Sequence, residues 1–138
     1  MSVLTAEQVQ ELIRAGVPMA EDLDLRIEHV SAERAVARVP FHPRLVRPGG
    51  TVSGPAMMAL GDTAMYAVVL GALGRVEMAV TSNLNINFLA RPAPLDLVAE
   101  ARILRLSKRQ AVCEVSLYSA GHPDQWVAHV TGTYVLPL

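Results

Sequence analysis

Residues 54–74, GPAMMALGDTAMYAVVLGALG, are apolar almost without interruption, and their single charge is Asp62. A run of this length suffices to span a bilayer. A mid-span carboxylate, however, costs about 2.5–3.5 kcal/mol on the insertion scale, and no Lys/Arg asymmetry flanks it as a lone span would require. The reading that fits is a long helix, hydrophobic on all sides because other elements of the same protein surround it. The rest of the chain then has to supply the wrapping.

The flanking sequence reads accordingly. Thr5-Ala6-Glu7-Gln8 has the pattern of a helix N-cap, Val9, Leu12 and Ile13 follow at helical spacing, and Gly16 and Pro18 end the helix. Residues 25–28 and 35–39 read as a strand pair with a turn at Ser31-Ala32-Glu33. A loop rich in Pro, Arg and Gly from His42 to Gly50 leads into the apolar run. After Gly74 the pattern becomes strand-like. Val80, Ser82, Leu84, Ile86 and Phe88 alternate with Thr81, Asn83, Asn85 and Asn87, which predicts one face toward the helix and one polar face. Arg91-Pro92-Ala93-Pro94 breaks that strand, and residues 97–106, 111–119 and 126–136 supply three more, separated by turns at Ser107-Lys108 and at Gly121-His122-Pro123-Asp124. The expectation is an α+β chain: a short N-terminal helix and an antiparallel sheet of about six strands wrapped around a long central helix, as one domain over residues 1–138.

Hydrophobic residues make up 51% of the sequence and charged residues 18%, more apolar surface than a monomer of this size needs. A sheet curled round one helix is expected to leave an open edge and an apolar outer face, both covered by another copy, giving a homodimer at least and a homotetramer as a dimer of dimers. The net charge of -1 offers no basic field for nucleic acid. Cys113 stands alone, so an intramolecular disulfide or a Cys-cluster zinc site is excluded; its strand position points to a small buried hydrophobe. His29, His42, His122 and His129 lack metal-ligand spacing, and no metal is expected. With no signal-peptide pattern at the N-terminus, the expected compartment is the cytoplasm.

Asp62 is expensive to bury without partners, and a desolvated carboxylate suits base or nucleophile work as readily as a structural hydrogen bond to a neighbour. Ser53-Gly54-Pro55 has the form of a helix start, with Ser53 as N-cap, Gly54 permitting close approach, and Pro55 where a missing N–H is harmless. Such a start is an ordinary cap and also favours an anion. An oxyanion donor and a carboxylate together are the two parts thioester hydrolysis needs.

SGPAMMALGDTAMYAVV resembles the PaaI-like hotdog signature HGGxxxxLxDxA, TSNLNINFLARPA resembles the strand that follows it, and RILRLSKRQAVCEVSLYSAG with WVAHVTGTYVL resembles the closing strands. The resemblance implies a hotdog fold, acyl-CoA thioesterase activity without a further cofactor, Asp62 as catalytic carboxylate and the Gly54 N–H as oxyanion donor. Ser53 stands where the family has His, Arg47 where it has Asn, and Pro55 where it has a second Gly, whose loss leaves the Gly54 donor in place.

Around this pair, Tyr66 lies one turn beyond Asp62, placed to orient it, to close a pocket or to pack in the core. Arg44, Arg47, Arg91, Arg105, Lys108 and Arg109 read more often as solvated loop charges than as contacts to CoA phosphates, and within the phosphate reading Lys108 and Arg109 are the favoured pair. Asn83, with Asn85 and Asn87, lines an acyl pocket or, the reading preferred, a wet sheet surface or a polar subunit contact. The rival function is a hotdog protein that binds acyl-CoA without turnover. Gly54 and Asp62 are separated by eight residues, roughly 12 Å along a helix at about 1.5 Å per residue, too far to serve one thioester carbonyl. The expected site is therefore shared between two antiparallel copies.

Overall fold

The computed structural model describes residues 1–137. Helix α1 (Ala6–Gly16) opens with a capping box: the Thr5 hydroxyl accepts from the Gln8 N–H at 3.1 Å, and Gln8 Oε1 accepts from the Thr5 N–H at 2.9 Å. It buries Val9 and Ile13. Pro18, expected only to end this helix, begins a second one, α2 (Pro18–Asp22), because its fixed φ and missing N–H suit a first helical position. Arg14 ties the two by bonding Glu21 at 2.6 Å and Asp24 at 2.9 Å.

Six strands follow: β1 (Arg26–Val30), β2 (Arg34–Val39), then, after the central helix α3 (Gly54–Leu73), β3 (Val80–Phe88), β4 (Leu97–Leu106), β5 (Gln110–Ser119) and β6 (Trp126–Val135). They form one antiparallel sheet in the order β1-β2-β4-β5-β6-β3. Helix α3 lies across its inner face, with Leu60, Ala64, Met65, Ala67, Val68, Val69 and Leu70 fully buried. This is the hotdog arrangement. Each of the larger side chains contributes about 1.5–3 kcal/mol by leaving water, which is why the all-apolar run selects the centre. By length and composition α3 would also cross a membrane; here it is the core helix. Gly74, at φ 91, ends it in a conformation that side chains rarely adopt.

The strand ladder contains a bulge that the alternation of residues 80–88 does not reveal. Between Thr81 and Asn83 the β3–β6 register shifts, so Thr81 pairs with Tyr134 while Asn83 pairs with Thr133. Leu84 and Ile86 face the helix as expected, alongside Gly132 and Val130. Thr81 also faces inward, next to Tyr134, instead of lying on the polar side with Asn83. Bulges re-aim side chains in this way.

The two sheet edges differ. The β1 edge is closed by α1, whose Gln10 Oε1 accepts from the Ile27 N–H at 2.8 Å. No strand or helix side chain among the described residues does this for β3, and Val80, Phe88 and Leu89 along it are 58%, 51% and 56% exposed. The outer face is not apolar, contrary to the expectation from composition. Glu100 bonds Arg34 and Tyr118, Glu114 bonds Arg102 and His129, and Arg38 bonds Glu28 and Asp96. Most of the apolar content goes to the core, and part of it stays exposed along the β3 edge and at scattered positions such as Leu104, Leu106 and Trp126, which the percentage alone does not resolve.

Gly132 lets β6 pass close to β3: a Cβ there would lie 2.7 Å from the Met65 side chain and 2.8 Å from the Asn83 carbonyl oxygen. Met65 can shift, but the Asn83 backbone cannot. Gly132→Ala is expected to destabilise the fold by about 1–3 kcal/mol, read as a lower urea midpoint with an unchanged slope. An unchanged midpoint would show that β3 yields freely at this point.

Candidate active site

Asp62 is half-buried at the middle of α3. Its Oδ1 accepts from the Thr81 hydroxyl at 2.8 Å and from the Tyr134 hydroxyl at 2.8 Å, and the Tyr134 oxygen also lies 3.2 Å from the Asp62 carbonyl. Tyr134 is 4% exposed. Burial, and then the neighbouring Asp62 charge, push its hydroxyl well above the ordinary tyrosine value, so it stays protonated and donates. Tyr66 does not bond Asp62. Its hydroxyl donates to the Glu77 carbonyl at 2.8 Å, and its ring stacks on Tyr134 with centroids 5.8 Å apart and planes 11° from parallel. Burial, then Glu77, raises the Tyr66 hydroxyl as well. Asp62, Thr63, Tyr66, Thr81 and Tyr134 line an open depression of about 320 Å³.

Sequence reasoning missed both partners of Asp62. Thr81 was hidden by the bulge. Tyr134 was legible in principle, since it alternates with Ala128, Val130 and Gly132 on the inward face of β6, and a buried tyrosine hydroxyl needs a polar partner.

The start of α3 follows the expected pattern. Ser53 is the N-cap, and its hydroxyl accepts from the Ala56 N–H at 3.3 Å. The Met57 N–H goes to the Ser53 carbonyl at 3.2 Å, and Pro55 has none. Of the first-turn donors, the Gly54 N–H is thus the one left uncommitted among the described residues. Gly54 lines a second cleft of about 640 Å³, together with Arg47, Pro48, Met57, Phe88 and Arg91 among others. Arg47 is exposed there, on a turn closed by the Arg47 N–H to the Thr51 carbonyl at 2.9 Å. Ser53, Gly54 and Arg47 therefore sit together at one end of α3, and Asp62 and Tyr66 sit together further along it, in a different depression.

The remaining candidates belong to neither group within one chain. Asn83 is exposed on the outer side of β3 with Asn85 and Asn87, so these three do not line the Asp62 depression. Lys108 and Arg109 are exposed in the β4–β5 turn, where strand pairing runs from Ala111 to Tyr134 to Thr81. They mark the Asp62 end of the sheet, while Arg47 and Arg91 mark the Gly54 end.

Cys113 is fully buried, and desolvation pushes its thiol up to about 12. The thiolate is the reactive form, so Cys113 in the folded protein is expected to resist a thiol-specific reagent at neutral pH and to react once urea unfolds the chain. Stoichiometric labelling of the folded protein within minutes would contradict this burial.

The comparisons with known proteins agree with this architecture. A family model described as the thioesterase superfamily matches residues 49–124, a span that includes α3, β3, β4 and β5. A protein of Halobacterium salinarum provisionally named an esterase is 34% identical over 125 residues, covering 85% of this chain and 82% of its own. A crystal structure of a protein provisionally named a thioesterase, from Silicibacter sp. TM1040, superimposes with a TM-score of 0.88 at 33% identity, covering 100% of this chain and 95% of that one. A thioesterase from Haemophilus influenzae shares the fold, with a TM-score of 0.84 at 18% identity over 98% of this chain and 92% of its own. With the family model spanning more than half of its length and its hotdog sheet closed around α3, this chain belongs to the thioesterase superfamily, whose members hydrolyse thioesters or esters.

Proposed function

We propose that the protein is a PaaI-like acyl-CoA thioesterase of the cytoplasm, working as a homodimer with two shared active sites, and that two such dimers associate as a homotetramer. The observation that carries this reading is the separation of the two chemical groups. The Gly54 N–H and the Asp62 carboxylate lie on one helix, roughly 12 Å apart along its axis and in different depressions.

The open β3 edge offers the geometry that joins them. A Cβ at Gly54 would lie 3.4 Å from Phe88 Cζ, so the helix start sits against the C-terminal end of β3, while Asp62 bonds Thr81 near its N-terminal end. Antiparallel pairing of β3 with the β3 of a second copy about a two-fold axis sets the Phe88 end of each strand opposite the Thr81 end of the other. Gly54 of one subunit then approaches Asp62 of its partner. The exposed Val80, Phe88 and Leu89, with Met58 of α3 at 43% exposure, would be covered by the same contact.

In such a site the Gly54 N–H, reinforced by the helix dipole, receives the charge that develops on the thioester oxygen. Asp62 either attacks the carbonyl carbon or takes a proton from the water that does. The C–S bond breaks, the departing sulfur takes a proton, and water supplies the oxygen of the free acid. Arg47 and Arg91 at one end, and Lys108 and Arg109 at the other, provide cations for the CoA phosphates. Ser53 and Arg47, in place of the family's His and Asn, motivate the second reading, an acyl-CoA binder without turnover.

A panel of acyl-CoAs assayed for thiol release, with thermal-shift binding in parallel, separates the two: release supports the enzyme, binding without release the binder. Asp62→Asn is expected to lower turnover by about a hundredfold or more with CoA binding retained. Near-normal turnover would assign Asp62 a structural role. For the shared site, an Asp62→Asn subunit is mixed with a Gly54→Pro subunit, each first confirmed folded, dimeric and inactive alone. The hybrid should regain one working centre of two; verified exchange without activity, or a stable monomer at micromolar concentration by light scattering, would overturn the cross-subunit arrangement.

A further inference from the structure

We infer that Thr81 and Tyr134 are positioning residues that clamp one oxygen of Asp62 and so decide which carboxylate oxygen does the chemistry. The inference rests on Asp62 being the reactive carboxylate, as proposed above.

A carboxylate has two equivalent oxygens with about four acceptor sites between them, and it rotates freely unless held. Here both hydroxyl donors converge on Oδ1, at 2.8 Å each, and no donor among the described residues bonds Oδ2. Two O–H donors on one oxygen draw charge toward it and fix the plane of the group. Oδ2 keeps its lone pairs uncommitted, and it is the oxygen available to a carbonyl carbon or to a water.

The donors come from two strands and are themselves braced. Tyr134 is buried on β6 and stacks on Tyr66, whose hydroxyl is in turn fixed by the Glu77 carbonyl. Thr81 reaches Asp62 only because the register shifts between Thr81 and Asn83. The Ser82 hydroxyl, within the shift, bonds the Thr133 carbonyl at 3.3 Å. Without the bulge, strict alternation would place Thr81 on the outer face with Asn83, and Asp62 would have one partner instead of two. A bulge maintained at the residue that contacts the only charge of α3 is accounted for by this contact. Because Thr81 lies on the open edge strand, the copy that pairs with β3 in the proposed dimer would also hold the clamp in place.

The alternative is that the two hydroxyls merely satisfy a half-buried carboxylate, so that losing one affects stability alone. Kinetics on the full-length protein distinguish the two. Tyr134→Phe and Thr81→Val each remove a single donor and are expected to lower kcat by about tenfold or more with KM within about threefold, because the loss concerns the reacting group and not acyl-CoA binding. Thr81→Ser, which restores the hydroxyl, is expected to recover most of the lost kcat. On an Asp62→Asn background neither substitution should lower the residual rate further, since a clamp acts only through the group it holds. If Tyr134→Phe fails to fold, Thr81→Val against Thr81→Ser carries the test.

Folded, dimeric variants with kcat within about twofold of the parent, while Asp62→Asn loses about a hundredfold or more, would overturn the clamp and leave the thioesterase reading intact. The clamp would also fall if the losses persisted undiminished on the Asp62→Asn background. Normal turnover by Asp62→Asn would remove the reading of Asp62 itself, and the clamp with it.

Discussion

A lone carboxylate placed in the middle of an apolar helix must find hydrogen-bond partners or pay the desolvation of its charge. Asp62 meets this constraint with two hydroxyls from the sheet that wraps the helix. Much of the local architecture at that end of the molecule follows from the requirement. The bulge after Thr81, the inward Tyr134, the stacked Tyr66 and its bond to Glu77 form one connected set around the carboxylate. The neighbouring Gly132 leaves room for the Met65 side chain and the Asn83 carbonyl, which a Cβ there would crowd.

The second determinant is the start of the same helix. Ser53 and Pro55 between them dispose of every first-turn donor except the Gly54 N–H. A rigid helix keeps that donor and the carboxylate at a fixed separation, so neither folding nor local motion within one chain brings them to one reaction centre. Gly54 at the start of the helix and Asp62 near its middle fit the proposed subunit, which a copy of itself would complete across an open strand edge. The contrast between the two edges supports this: α1 occupies β1 through Gln10, while among the described residues nothing pairs the outer edge of β3, which lies beside exposed apolar side chains.

The outer sheet face has a different character. Its ion pairs join Arg34 to Glu100 and Arg102 to Glu114 across neighbouring strands, and His129 Nε2 lies 3.2 Å from the Glu114 carboxylate. Pairs this exposed are each worth about 0–1 kcal/mol, so their role is to keep the face hydrated more than to hold the fold. The hydrogen bond from Tyr118, and then the pair with Arg34, keep the Glu100 carboxyl below its ordinary value. His129 and Arg102, through their hydrogen bonds, do the same for Glu114. Val80, Phe88 and Leu89 remain exposed along the β3 edge, where the proposed partner would bind.

The sequence by itself determined the central helix, its start and end, and the succession of strands, because these rest on local signals: an unbroken apolar run, the Ser53 cap, Gly74, and the period of two along the strands. It also singled out Asp62 and Gly54, one as the lone charge in that run and the other by its place at a capped start. What lay beyond it depended on contacts between residues distant in the chain. The strand order, the blocked and open edges, the polarity of the outer face and the pairing of Asp62 with Thr81 and Tyr134 are set by registers that no short window contains. A shift of one residue reverses the face of everything before it. That is why alternation assigned Leu84 and Ile86 correctly and Thr81 wrongly, and why only the tertiary structure could decide which hydroxyls hold the carboxylate.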